Sequence, residues 1–243
     1  MWMAMVKVEL HTHTADDPVD RIPHTTTDLI DRAAALGYGA LAITLHERQL
    51  DISPHRGYAF ERGIALISGI EQTVEGRHVL LLNFSGAAEQ VRSFDGLARL
   101  RARESQGLVV APHPFFPGGS CLRGDLERCP ELFDAVEHNA MVVRGIDFNA
   151  RAAEWAARHG KPLVGNGDVH RLAQLGSTYS LVDAPADADA VCAAVRAGRV
   201  VVESRPLPYA TAARVLGAMV MGDLWRVARE TFGAPEPAPS GAL

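Results

Sequence analysis

The sequence predicts an α/β protein made of repeated strand–helix units on a largely parallel sheet, either closed into a barrel or open and doubly wound. Three observations predict it. Apolar strand-like runs alternate with amphipathic helix-like runs along most of the 243 residues. The helix-like runs stop at glycines, Gly37, Gly107 and Gly160, as helices with a left-handed C-terminal residue do. Length and composition suit one large domain, with 47% hydrophobic and 22% charged residues, enough aliphatic material for a sizeable core.

The elements follow in order. MVKVEL (5–10) alternates Val6, Val8 and Leu10 with Lys7 and Glu9, as along a half-buried strand. TTTDLIDRAAALG (25–37) reads as a helix, with Thr25 and Asp28 as a capping pair and Leu29, Ile30 and Ala33 as its apolar stripe. Strands are then expected at 40–44, 64–69, 78–84, 107–112, 133–137 and 162–166, with helices at 94–106 and 148–159. Further helices are expected at 186–198 and 208–233, with the short strand RVVVES between them. The last ten residues, rich in Ala, Pro and Gly, read as a disordered tail.

Composition narrows the function. A net charge of −5 and the absence of any Lys/Arg block provide no field for holding long nucleic acid. A short nucleotide or another small anion stays open, because a metal site supplies positive charge locally. The three cysteines, Cys121, Cys129 and Cys192, form no CxxC pair, so neither a disulfide framework nor a zinc knuckle is expected, and a reducing, cytoplasmic location fits. The opening MWMAM has no signal-peptide pattern, and no apolar run approaches the roughly 20 residues of a membrane span, so a soluble protein is expected.

The chemistry lies at the ends of the strands. His11 and His13 end the first; His46 follows the second, Glu71 the third, His113 the GLVVAP strand, and Asp168 and His170 the PLVGN strand. In a β/α barrel such ends gather at one mouth, where active sites of that architecture lie. His78 opens a strand instead, and the short turn EQTVEGR lets it face Glu71. Imidazole nitrogen with carboxylate oxygen, and no thiolate, suits Zn, Mn or Fe in a hydrolytic site. A carboxylate such as Glu71 can bridge two metals about 3.5–4 Å apart, which generate hydroxide near neutral pH and neutralise a phosphate's charge. Arg48, Arg144 and Arg171 are candidate phosphate clamps, since Arg matches phosphate geometry.

Taken in order, HTHT, AITLH, GIE, APHP, GDVH with QLGSTYSLV, and AVRAGRVVV resemble the PHP (polymerase and histidinol phosphatase) family of metal-dependent phosphoesterases, over about residues 5–203. The resemblance implies a distorted seven-stranded β/α barrel, placed over 1–205; the residues beyond it are expected to form a C-terminal helix at 206–232 packed on the barrel and a tail at 233–243. It implies two or three divalent metals. His11, His13, Glu71 and Asp168 would hold the first, and Glu71, His78 and His113 the second. His46 and His170 would hold a third with an acid from the first loop. Two positions depart from the family pattern: Leu45 stands where an acid is usual after strand two, and Pro18 where the first-loop aspartate is usual. Among Asp16, Asp17 and Asp20, Asp17 is the expected replacement.

The function expected is hydrolysis of a small phosphoester by hydroxide generated at the metals, with His46 or His170 protonating the leaving oxygen and Asp168 beside them. Two rivals stand next to it. A degenerate PHP module without catalysis would have lost several ligands, whereas nearly all are present. A metal-dependent amidohydrolase would need a lysine at a strand end, and the only lysines, Lys7 and Lys161, are poorly placed for that.

Overall fold

The computed structural model describes residues 5–145, 147–214 and 217. Its strands are β1 (Val6–Glu9), β2 (Ala40–Ile43), β3 (Ala65–Val74), β4 (Arg77–Leu82), β5 (Leu108–Ala111), β6 (Ala135–Asn139), β7 (Leu163–Asn166), β8 (Thr178–Val182) and β9 (Val200–Ser204). Among the described residues they form one sheet in the order β7-β6-β5-β4-β3-β2-β1-β8-β9. The sheet is mixed, and the expected seven strands become nine. β1, β2 and β3 run parallel, as do β5, β6 and β7, while β4 is antiparallel to both its neighbours and β8 to β1 and β9.

The departures from a parallel sheet have local causes. Glu75 and Gly76 both have positive φ, 49° and 80°, the two-residue turn that matches strand twist and turns the chain straight back. β3 therefore runs on through Glu71 to Val74 instead of ending at residue 69. TYSLV, not expected as a strand, becomes β8, with Thr178, Ser180 and Val182 buried.

The sheet wraps into a nearly closed barrel. At the mouth, Thr12 bridges Val169 in parallel, so the chain just past β1 meets the chain just past β7. His13 N donates to Val169 O and Val169 N to His11 O, each at 3.1 Å. Lower down, the Ser180 hydroxyl on β8 accepts from Gly165 N at 2.8 Å and donates to Gly165 O at 3.1 Å. A Cβ on Gly165 would lie 2.7 Å from Tyr179 O, so only glycine permits this approach.

The helices are α1 (Thr26–Ala35), α2 (Ser53–Phe60), α3 (Phe94–Arg103), α4 (Gly124–Arg128), α5 (Ala150–His159) and α6 (Ala188–Arg196). α1 carries the Thr25–Asp28 capping box that its sequence predicts, and α5 ends on the left-handed Gly160. α2 and α4 lie where the sequence pattern assigns neither strand nor helix. α6 packs Val191, Cys192, Ala194 and Val195 against Val8, Leu80, Leu82, Leu108, Val110 and Val164, closing the barrel floor. The polar residues are thereby confined to the opposite end. No helix among the described residues is long and apolar enough to cross a membrane. Of the helix expected at 208–233, residues 209–214 and 217 are helical; residues 215–216 and 218–233, and the tail at 233–243, lie outside the described residues.

Candidate metal centre

The barrel mouth gathers side chains from seven strand ends around Glu71. That residue sits within β3, beside His46 in a parallel bridge that continues β2, and its side chain is 1% exposed. Its two oxygens face different histidines. Oε2 lies 3.2 Å from His11 Nε2, 3.4 Å from His13 Nε2 and 3.0 Å from His46 Nε2. Oε1 lies 2.7 Å from His78 Nδ1 and 3.1 Å from His113 Nε2. The hairpin accounts for this: Thr73 pairs with His78 and Glu71 with Leu80, which sets His78 diagonally across from Glu71.

Asp168, beyond β7, approaches the other side, with Oδ1 3.4 Å from His11 Nε2, 3.6 Å from His13 Nε2 and 3.3 Å from His170 Nδ1. His113 and Asp168 both have positive φ, 28° and 48°, strain of the kind that collects at functional sites. His13 Nε2 and Asp168 Oδ1 are buried and have no hydrogen-bond partner. Burying polar atoms unpaired is costly. Both point at the same cluster as Glu71 Oε2, which makes them the fit of a cation-binding donor set. Four groups of three ligand atoms, each within 4.8 Å of one another, are present among the described residues: His11/His13/Asp168, His11/Glu71/His113, His46/Glu71/His78 and His13/His46/His170.

The ring nitrogens that face away from the cluster are held too. Glu137, in β6 and fully buried, accepts from His11 Nδ1 at 2.7 Å. Its oxygens also accept from His113 N, Asn139 Nδ2 and Asn166 Nδ2. Asp17 Oδ2 does the same for His13 Nδ1 at 2.9 Å and His46 Nδ1 at 3.0 Å, and accepts from His46 N. Carboxylates placed so fix the tautomer and direction of metal-binding imidazoles.

The electrostatics agree with a site built for positive charge. Burial opposes charge on His11, yet Asp168, Glu137 and Glu71 lift its imidazole well above the usual range. His46 and His113 are likewise raised against burial, His46 by Glu71 and Asp17 and His113 by Cys121 and Glu71. His170 is pushed up to about 10, because Asp168 and Asp20 outweigh its burial. Burial would raise Glu71, but His78, His11 and His46 hold it well below the usual carboxylate range. Protons on the imidazoles balance the carboxylates here, and a metal would replace those protons.

The sequence-derived residues divide into groups. His11, His13, His46, Glu71, His78, His113, Asp168 and His170 come together. Asp17 sits behind His13 and His46 rather than facing Glu71, since its hydrogen bonds take their outer nitrogens. Asp20 instead lies at the centre's edge, with Oδ2 3.1 Å from His170 Nε2. Of the three arginines, Arg48 and Arg144 are exposed and Arg171 is half-buried, and Arg48 donates to Asp16 O at 3.5 Å. Lys7 is held by Leu36 O between the rings of Tyr38 and Tyr179. Glu137 was missed by sequence reasoning, although it ends the FDAVE strand and the strand-end rule that selects the others selects it as well.

The family model described as PHP-associated matches residues 147–200. Over 79 residues the chain is 34% identical to a 3′,5′-nucleoside bisphosphate phosphatase of Chromobacterium violaceum, a stretch covering 32% of this chain and 26% of that protein. Among solved structures, it is similar to a two-domain protein of Bacteroides vulgatus containing a predicted PHP-like metal-dependent phosphoesterase. There the TM-score is 0.63 at 17% identity, over 83% of this chain and 65% of that one. It is also similar to the lesion-specific endonuclease PfuEndoQ of Pyrococcus furiosus, with a TM-score of 0.57 at 13% identity over 82% of this chain and 57% of that one. The structural likenesses establish a shared fold.

Proposed function

We propose that this chain, a PHP-type protein, is a metal-dependent phosphoesterase that cleaves a small, nucleotide-like phosphoester. The observation that carries this reading is Glu71, a buried carboxylate with one oxygen facing His11, His13 and His46 and the other facing His78 and His113. In this reading His11, His13, Glu71 and Asp168 hold one divalent ion, and Glu71, His78 and His113 hold a second. His46, His170 and Asp20 offer donors for a third. Zn, Mn or Fe suits these nitrogen and oxygen donors. Bound there, the ions supply Lewis acidity toward phosphoryl oxygens and lower the pKa of water.

The chain's own residues complete the reaction. Glu137 and Asp17 hold the His11, His13 and His46 rings in place from behind. With that third position empty, His170, whose protonated form Asp168 and Asp20 favour, would supply the proton that the leaving oxygen takes. The nucleotide part of the reading is supported by the bisphosphate phosphatase of C. violaceum, although the shared stretch is about a quarter of that protein.

Elemental analysis of the purified protein beside the His11→Ala/His13→Ala variant tests the proposal, together with phosphate release from nucleoside mono- and bisphosphates, sugar phosphates, histidinol phosphate and a short oligonucleotide. Two or three metals per chain, lost in the variant along with hydrolysis, are expected. No metal after loading with Zn, Mn or Fe would overturn the reading in favour of a non-catalytic module, and cleavage of the oligonucleotide alone would redirect it to nucleic acid.

A further inference from the structure

At the mouth, Phe116 and Phe148 lie against each other with ring centroids 5.2 Å apart and planes tilted by 53°. Phe116 also meets the His113 ring edge-on at 6.4 Å, and His113 Nε2 is 3.1 Å from Glu71 Oε1. Phe148 is 41% exposed. Two aromatic rings thus lead outward from the polar centre, and the outer one is left in water. Its neighbour in sequence behaves differently: Phe115 packs on the outer core, with the Arg151 guanidinium 4.6 Å from its ring. Of the two adjacent phenylalanines, one fills the loop and the other turns to the mouth.

The turn that carries Phe116 is tied down. Phe116 N donates to His113 O at 3.2 Å and Gly118 N to Phe116 O at 2.9 Å. Arg123 Nη2 adds a third bond, to Phe116 O at 3.3 Å. Pro114 and Pro117 flank the ring in sequence and restrict the backbone on either side. With the backbone held this firmly, only the side-chain torsions of the ring remain to be ordered on contact with a ligand.

Resting on the phosphoesterase reading above, we infer that Phe116 and Phe148 form a stacking platform for the base of a nucleoside phosphate, one sugar away from the scissile phosphate. Every nucleobase offers a π-face, and stacking on an aromatic side chain needs no particular base. The platform therefore selects nucleoside phosphates over sugar phosphates without choosing among bases. A pair that merely joined the two loops would have no need to leave Phe148 exposed beside a charged centre.

The test compares kcat and KM of the metal-loaded wild type, Phe116→Ala, Phe148→Ala and Phe148→Leu on AMP and on ribose 5-phosphate, which share the phosphoester and differ in the base. Expected is a rise of about 5- to 150-fold in KM for AMP, relative to the change for ribose 5-phosphate, in the alanine variants. Phe148→Leu, which keeps apolar bulk, loses the same preference. Equal losses on both substrates, or none, overturn the inference. If the wild type hydrolyses neither compound, the phosphoesterase reading is judged on the wider substrate panel above, and calorimetric titration with AMP still decides this inference: weaker binding by Phe148→Ala upholds the platform, and equal binding removes it.

Discussion

Replacing Glu137 by Gln is the sharpest probe of how the centre is held. The change removes one charge and keeps the shape. In the wild type, Oε1 accepts from His113 N at 3.2 Å and Asn139 Nδ2 at 2.8 Å, and Oε2 accepts from His11 Nδ1 at 2.7 Å and Asn166 Nδ2 at 3.1 Å. A glutamine must turn its NH2 toward one of these pairs, setting donor against donor in a fully buried place. Flipping a neighbouring amide brings no relief, because Asn139 Oδ1 already accepts from Met141 N and Asn166 Oδ1 from Leu10 N. Two bonds are lost, and a buried polar group left unpaired costs about 1–3 kcal/mol, so the metal-free fold should lose about 2 kcal/mol or more. Without the carboxylate behind it, His11 is also less firmly directed, and loss of such a partner weakens metal binding about 10- to 100-fold. Urea unfolding of the stripped protein and calorimetric titration with Mn²⁺ measure the two effects. Unfolding within about 0.5 kcal/mol of wild type, with affinity within about threefold, would refute the argument that Glu137 positions the site.

Two further predictions concern other buried ionisable groups. Burial pushes Glu9 up to about 8, although the amides of Gly167 and His11 donate to it. The folded state then keeps a proton that the unfolded state releases near pH 4.5, so this group's contribution is complete below that pH and is lost as pH rises through 8. In urea titrations of stripped protein, Glu9→Gln should gain on wild type by up to about 1.4 kcal/mol per pH unit across that window; a constant offset would count against it. For His170→Asn, kcat should fall about 10²- to 10⁴-fold on alkyl phosphoesters, the usual range for a lost general acid, and much less on p-nitrophenyl phosphate, whose leaving group needs no proton. Equal losses on both would leave His170 with a structural or metal-holding role only.

Local sequence determined much of this protein because local physics suffices for it. The Thr25–Asp28 box starts α1 and Gly160 ends α5 through atoms within a few residues of each other. The rule that strand ends converge brought His11, His13, His46, Glu71, His113, Asp168 and His170 to one mouth without any knowledge of packing, because a wrapped sheet of mainly parallel strands has one such mouth. What tertiary structure decided depends on contacts between residues far apart in the chain. Ser180 reaches the Gly165 backbone, and Thr12 bridges Val169; no pattern within TYSLV or HTHT announces either partner. From the sequence Asp17 is the expected acid, with Asp20 three residues on as an alternative. Only the fold turns Asp17 behind His13 and His46 and sets Asp20 against His170. Glu137 matters because β6 lies across the barrel from β1, 126 residues away along the chain, and Phe116 and Phe148 meet because two separate loops fold over the same rim. Periodicity and capping act over one turn or one strand, whereas the direction of a side chain at a shared centre is set by whatever the rest of the chain places opposite it.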